Sequence, residues 1–176
     1  FTITTEVCKL YYATKSNLPS EVEAQIRAAM KKVEAVQGAK FGDSKNPLLV
    51  SVRSGAKFSM PGMMNTILNL GMNDQSVVGI AAKTGNERFA YDSYRRFISM
   101  YGRIVLGIDG EPFEHALDAA KARAGTTMDN LIPADALKVL CEEFKVIVLK
   151  ATGAHFPQKP REQLNGAVEA VFRSWN

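Results

Sequence analysis

A mixed α/β fold, a small α/β unit interrupted by an all-helical block, is what this sequence predicts, on three observations. Two short apolar runs, LLVSV (48–52) and NTILNLG (65–71), read as neighbouring strands set among helical patterns. From 73 to 158 the chain offers only helical periodicity, punctuated by Gly and Pro. A last helical pattern, 160–173, follows the break GAHFPQKP. Residues 1–72 and 159–176 are therefore expected to form the α/β unit, and 73–158 the helical one.

The elements follow in order. FTITT reads as a strand already under way that runs into a helix cap, and FRSWN directly follows a helical pattern, so both ends read as cut from something longer. Residues 4–15 place apolar side chains at helical spacing after a Thr cap, with Glu6 in the first turn. After the break at Asn17–Leu–Pro–Ser20, Ser20 is expected to cap EVEAQIRAAMKKVEAVQ, which Gly38 ends. FGDSKNP is turn-rich, and Pro47 admits LLVSV, a strand apolar enough to be covered on both faces. NTILNLG stops at Gly71. Asp74 opens QSVVGIAAKT, Gly85–Asn86 breaks it, and ERFAYDSYRRFISMYGRIVLGI carries a 3.6-residue apolar period. Further helices are expected at 111–124, 133–151 and 160–173, with breaks at Gly125 and Pro133; VIVL (146–149) only mimics a strand. Tyr91, Tyr94, Phe97, Tyr101 and Phe113 sit at helical spacing and read as a local core, with Arg95 and Arg96 as the alternative, a docking face.

Composition narrows the function classes. The 176 residues carry a net charge of +4, and 46% are hydrophobic and 23% charged, the balance of an ordinary folded protein. No apolar run approaches the ~20 residues of a spanning helix, so no membrane role is expected. The basic residues are dispersed, with no zinc-finger, RNP or helix-turn-helix spacing, which argues against nucleic acid. Cys8 and Cys141 stand far apart without CxxC company, which points to a reducing compartment, and His115 and His155 have no partners at ligand spacing, so no metal ligands are assigned.

The chemistry concentrates at SVRSGAKFSMPGMMN (51–65). Arg53 ends a buried-type strand, and the ends of such strands form the rim where α/β sheets bind ligands. A guanidinium there keeps its charge and can fork two donors onto phosphate oxygens. Gly55 and Gly62 would let backbone N–H groups approach an anion, Ser54 and Ser59 add hydroxyls, Lys57 adds charge, and Met60, Met63 and Met64 form an adaptable cover. Equally, an Arg after a strand can be an ion-paired surface residue and such a loop an ordinary turn. Neither GxxxxGK[ST] nor GxGxxG occurs.

SVRSGA followed by SMPGMMNTILNLGMND, then KTGNERFAYDSYRRFISMYGRIVLGI, LYYATKSNLP and AVFRSWN, resembles the pyruvate, phosphate dikinase family in its N-terminal nucleotide-binding domain, over essentially the whole chain. The resemblance implies part of an ATP-grasp fold, with Arg53 on the ATP phosphates supporting transfer and Gly62, Met63 and Met64 in the loop over the nucleotide. It implies a phosphotransferase that converts ATP, phosphate and pyruvate to AMP, diphosphate and phosphoenolpyruvate, using Mg²⁺ and a monovalent cation. Its partners would be a phosphohistidine domain and a pyruvate-binding barrel of the same enzyme, in a homodimer. Members occur in cytoplasm, chloroplasts and other organelles, so an intracellular and chiefly cytoplasmic site is expected. Neither His115 nor His155 has the Gly-Thr-rich setting of the carrier histidine, and the Mg²⁺ and adenine ligands are expected outside these residues. This chain alone is therefore expected to be inactive. The alternatives are a phosphoenolpyruvate synthase-like dikinase, which the MPGMM run disfavours, and a non-catalytic helical interaction module.

Overall fold

The computed structural model describes residues 1–14, 18–55 and 66–174. The chain is mostly helical with two small sheets, an α/β arrangement. Thr4 is extended (φ −78°, ψ 161°), but residues 1–4 pair with no strand among the described residues, contrary to the strand expected of FTITT. Helix α1 (Thr5–Ala13) follows, and its Thr4 makes no side-chain capping bond. Helix α2 (Ser20–Gln37) corrects a second expectation: Ser20 lies within the first turn, and Pro19 occupies the cap. Proline holds the right φ there, and the Pro19 carbonyl accepts from the Glu23 N–H at 3.1 Å. Gly38 ends α2 in the left-handed region (φ 60°), as such termini require.

LLVSV is not one strand. Its beginning belongs to β2 (Pro47–Leu48), which lies parallel to β1 (Lys40–Phe41). After Leu49 the chain enters β3 (Val50–Val52), antiparallel to β4 (Ile67–Leu70). The register runs Val50 to Leu70 and Val52 to Ile67, so β4 carries one extra residue. Asn69, at φ 62°, absorbs that bulge, a conformation asparagine tolerates better than branched residues. Nor is β3 covered on both faces: Ser51 is exposed between half-buried valines. That alternation belongs to a one-sided sheet, and the Ser is its sequence signature.

Helices α3 (Ser76–Thr84), α4 (Glu87–Ile104), α5 (Glu111–Arg123) and α6 (Ala134–Thr152) occupy the stretch expected to be helical, and no strand lies within it. Asn73 rather than Asp74 serves the start of α3, its Oδ1 accepting from the Gln75 and Ser76 N–H groups at 3.0 and 2.7 Å. Asn86 caps α4 through the Phe89 N–H at 2.9 Å. The aromatic residues form a core: Tyr94, Phe97, Tyr101 and Phe113 are buried, and Phe113 meets Phe144 of α6 edge-on at 5.1 Å. Cys141 lies buried among them, its thiol pushed up to about 12 by burial, which disfavours the thiolate. Helix α7 (Pro160–Arg173) returns to the sheets, and Phe172 meets Tyr11 of α1 at 5.2 Å. Two glycines permit close approaches: a Cβ at Gly79 would collide with the Ser44 carbonyl, and one at Gly166 with the Tyr101 hydroxyl.

Arg95 is not a docking residue. It is buried, donates to Asp92 Oδ1 at 2.8 Å, and reaches Asp129 Oδ2 at 2.9 Å across 34 residues. Arg96, on the same helix, is exposed and pairs with Asp92 at 3.1 Å. Lys121 adds a second cation 3.4 Å from Asp129. Burial by itself would raise the Asp129 carboxyl, but the hydrogen bond and charge of Arg95, then Lys121, hold it below the usual carboxylate range. A depressed folded carboxyl adds stability in full above its unfolded value near ~3.9, and loses it as pH falls through the folded value. The stability difference between wild type and Asp129→Asn is thus expected to stay flat from about pH 7 to 5 and to shrink below about pH 4. Thermal melts of both proteins across that range check this; a difference independent of pH would show that the Asp129 charge is immaterial.

Candidate functional site

The strand β3 is short because its pairing ends at Val52, opposite Ile67. Arg53 comes next, directly after the last paired residue of β3. It is exposed, and among the described residues it has no ion pair. Arg53 lines a cleft of about 690 Å³ bounded by residues 1–5, α1, α2, β3 and α7. The floor is apolar, with Met30, Val52, Leu164, Val168 and Phe172, and Thr2, Thr4, Thr5 and Ser51 also line it. Arg53 is the only charged side chain among the described residues of the lining, which include neither Asp nor Glu.

The electrostatic consequence is direct. A fixed cation at the rim of an apolar depression whose described lining carries no acid attracts anions, because no ion pair among the described residues neutralises it and low-dielectric walls strengthen its field. The guanidinium can present two parallel donors to a phosphate or carboxylate. The arrangement can bind and orient an anion. Neither histidine is among the described residues of the lining: His115 is exposed beside Glu111 at 3.7 Å, and His155 is exposed too.

Of the residues the sequence singled out, Arg53 stands at the strand end as expected and Gly55 joins it on the cleft lining. Gly62, Met63 and Met64, with Lys57, Ser59 and Met60, lie outside the described residues. Sequence reasoning missed the contribution of residues 1–5 and Cys8 to the cleft. The hydroxyls of FTITT are the signal the sequence offers, in a stretch that reads as a strand already under way. Among the described residues no group of three or more His, Cys, Asp or Glu could hold a metal ion. No helix among them is long and apolar enough to cross a membrane.

The sequence profile of the family described as "Pyruvate phosphate dikinase, AMP/ATP-binding domain" matches residues 2–176. The chain is 55% identical to "Pyruvate, phosphate dikinase" of Giardia intestinalis over 175 residues, which are 99% of this chain and 20% of that protein. It is 54% identical to "Pyruvate, phosphate dikinase" of Clostridium symbiosum over 177 residues, 100% of this chain and 20% of the relative. "Pyruvate, phosphate dikinase 1, chloroplastic" of Arabidopsis thaliana is 49% identical over 175 residues, 99% of this chain and 18% of the relative. The chain thus spans about a fifth of the length of the curated relatives it matches.

Proposed function

This chain belongs to the pyruvate phosphate dikinase AMP/ATP-binding domain family, and we propose that, within its full-length protein, it supplies the phosphate-gripping jaw of an ATP-grasp nucleotide clamp. The observation that carries this reading is Arg53, exposed and without an ion pair among the described residues, at the rim of a cleft with no acidic side chain in its described lining. Arg53 contacts the ATP phosphates, each charge-assisted hydrogen bond contributing roughly 1.5–3 kcal/mol. As the phosphoryl group leaves, the guanidinium stabilises the charge that spreads over its oxygens. Gly62, Met63 and Met64 belong to the loop over the nucleotide, where Gly leaves room for backbone donors and Met packs without one fixed geometry.

The reaction served is conversion of ATP, phosphate and pyruvate to AMP, diphosphate and phosphoenolpyruvate, through a histidine on another domain of the same polypeptide and a pyruvate-binding barrel, in a homodimer. Mg²⁺ and a monovalent cation belong to the full-length enzyme; no described side chain of this chain is assigned to either. The compartment is intracellular, cytoplasmic or organellar. Residues 1–72 and 159–176 are the α/β unit of the clamp and 73–158 its helical insertion.

Calorimetric titration with ATP as its magnesium complex tests the assignment. The full-length protein is expected to bind, and the isolated chain at least about a hundredfold more weakly, because phosphate contacts from one side leave the base unsupported; that is about 2.7 kcal/mol of lost affinity. Absence of binding by the full-length protein overturns the assignment. Equal affinity of the two overturns the single-jaw reading.

A further inference from the structure

The polypeptide passes twice between the helices α3–α6 and the sheet-bearing remainder, at 71–75 and at 156–159. Two such crossings are where a hinge would form, since a hinge concentrates its φ/ψ change in a few residues at element ends. Here both are stitched together by one side chain. Gln163, on the first turns of α7, is fully buried. Its Oε1 accepts from the Gly71 N–H at 2.9 Å, and its Nε2 donates to the Met72 and Pro157 carbonyls, both at 2.8 Å. Both amide donors and the carbonyl are thereby used, and the two crossings become a single hydrogen-bonded unit.

A second layer repeats the link. Asn73 Nδ2 donates to the Gln158 carbonyl at 3.0 Å, while the Gln158 side chain accepts from the Asp74 N–H at 2.9 Å and donates to the Tyr94 hydroxyl at 3.2 Å. That hydroxyl donates to Asp74 Oδ1 at 2.9 Å, which also receives Lys145 of α6 at 2.8 Å. Ser76, fully buried, donates to the Gly71 carbonyl at 3.0 Å. Buried backbone groups so paired resist rotation, because each would lose its partner without gaining water.

We propose that Gln163 is a positioning residue that locks the two crossings to each other, so that the helices α3–α6 move as one rigid body with the β3–β4 sheet that carries Arg53. Any closure of this domain upon a ligand then carries the helical block along instead of bending at 72 or 158. Whether Arg53 meets phosphate does not enter.

Hydrogen exchange by mass spectrometry on the full-length protein tests this. In the wild type, a peptide covering 70–76, whose Gly71, Met72 and Asp74 amides are all bonded, is expected to exchange at least a hundredfold more slowly than the exposed, unbonded amide of His155. Exchange at 70–76 as fast as at His155 overturns the proposal without need of a variant. Gln163→Glu keeps the size and the acceptor but loses both donors at neutral pH; it is expected to speed exchange at 70–76 at least tenfold while α4 is unchanged. Acceleration confined to 154–160, or none, overturns the coupling. Should the variant fail to fold, the wild-type comparison decides.

Discussion

Under the proposed dikinase function, Arg53→Lys in the full-length protein is expected to slow the ATP-dependent phosphorylation of the carrier histidine by about 10²–10³-fold, the loss seen when one preorganised donor to developing charge is removed. Lysine keeps the charge but gives up the planar fork, so a bidentate grip on phosphate becomes a single, mobile contact. Exchange between phosphoenolpyruvate and the same histidine is expected to be unaffected, because that transfer does not need the ATP phosphates. The two half-reactions, measured separately by isotope exchange, therefore discriminate. A guanidinium that merely supported the fold would slow both alike on replacement. Nothing described here offers Arg53 such a structural partner: it is exposed and has no ion pair among the described residues.

The second large effect concerns stability. Phe156→Ala is expected to destabilise the chain by about 3–5 kcal/mol, the range for deleting a buried aromatic ring. Phe156 is 2% exposed and lies 5.7 Å from the rings of both Phe97 and Tyr101 and 6.4 Å from Tyr94, all three contacts edge-on. Its removal leaves a cavity at the point where the chain leaves α6 for α7, and three rings of α4 cannot collapse into it without leaving their rotamers. At roughly 2–4 °C per kcal/mol for a chain of this size, the melting temperature should fall by about 6–20 °C. Urea unfolding of the two proteins measures the difference directly. A loss under about 1 kcal/mol would mean that this ring is not packed as described.

Most helix boundaries were legible because their signals are local. Gly38, Gly85 and Gly153 all take the left-handed conformation at the helix ends they punctuate, and the expected segments 111–124, 133–151 and 160–173 correspond to Glu111–Arg123, Ala134–Thr152 and Pro160–Arg173. Expectations failed where an adjoining residue or a packed element overrode the local signal. Ser20 has the chemistry of a cap, but the conformation of Pro19 starts the helix one residue earlier. LLVSV reads as one buried run, yet its two ends pair with different strands. Arg95 and Arg96 are adjacent and identical in composition; helical rotation turns one inward to Asp129 and leaves the other in water.

The mixed α/β class, the order of the helices, the aromatic stripe of α4 and the placing of a permanent cation at a strand end can all be read from the linear pattern of residues. Those depend on periodicity and on Gly and Pro conformations, which act over a few residues. Packing alone brings Arg53 to a cleft with no acid in its described lining, makes Arg95 an internal ion-pair member and lets Gln163 join two crossings over 80 residues apart in the chain. Their partners are brought near by packing, and a buried polar group must take whichever partner the packing brings, a choice no local pattern encodes.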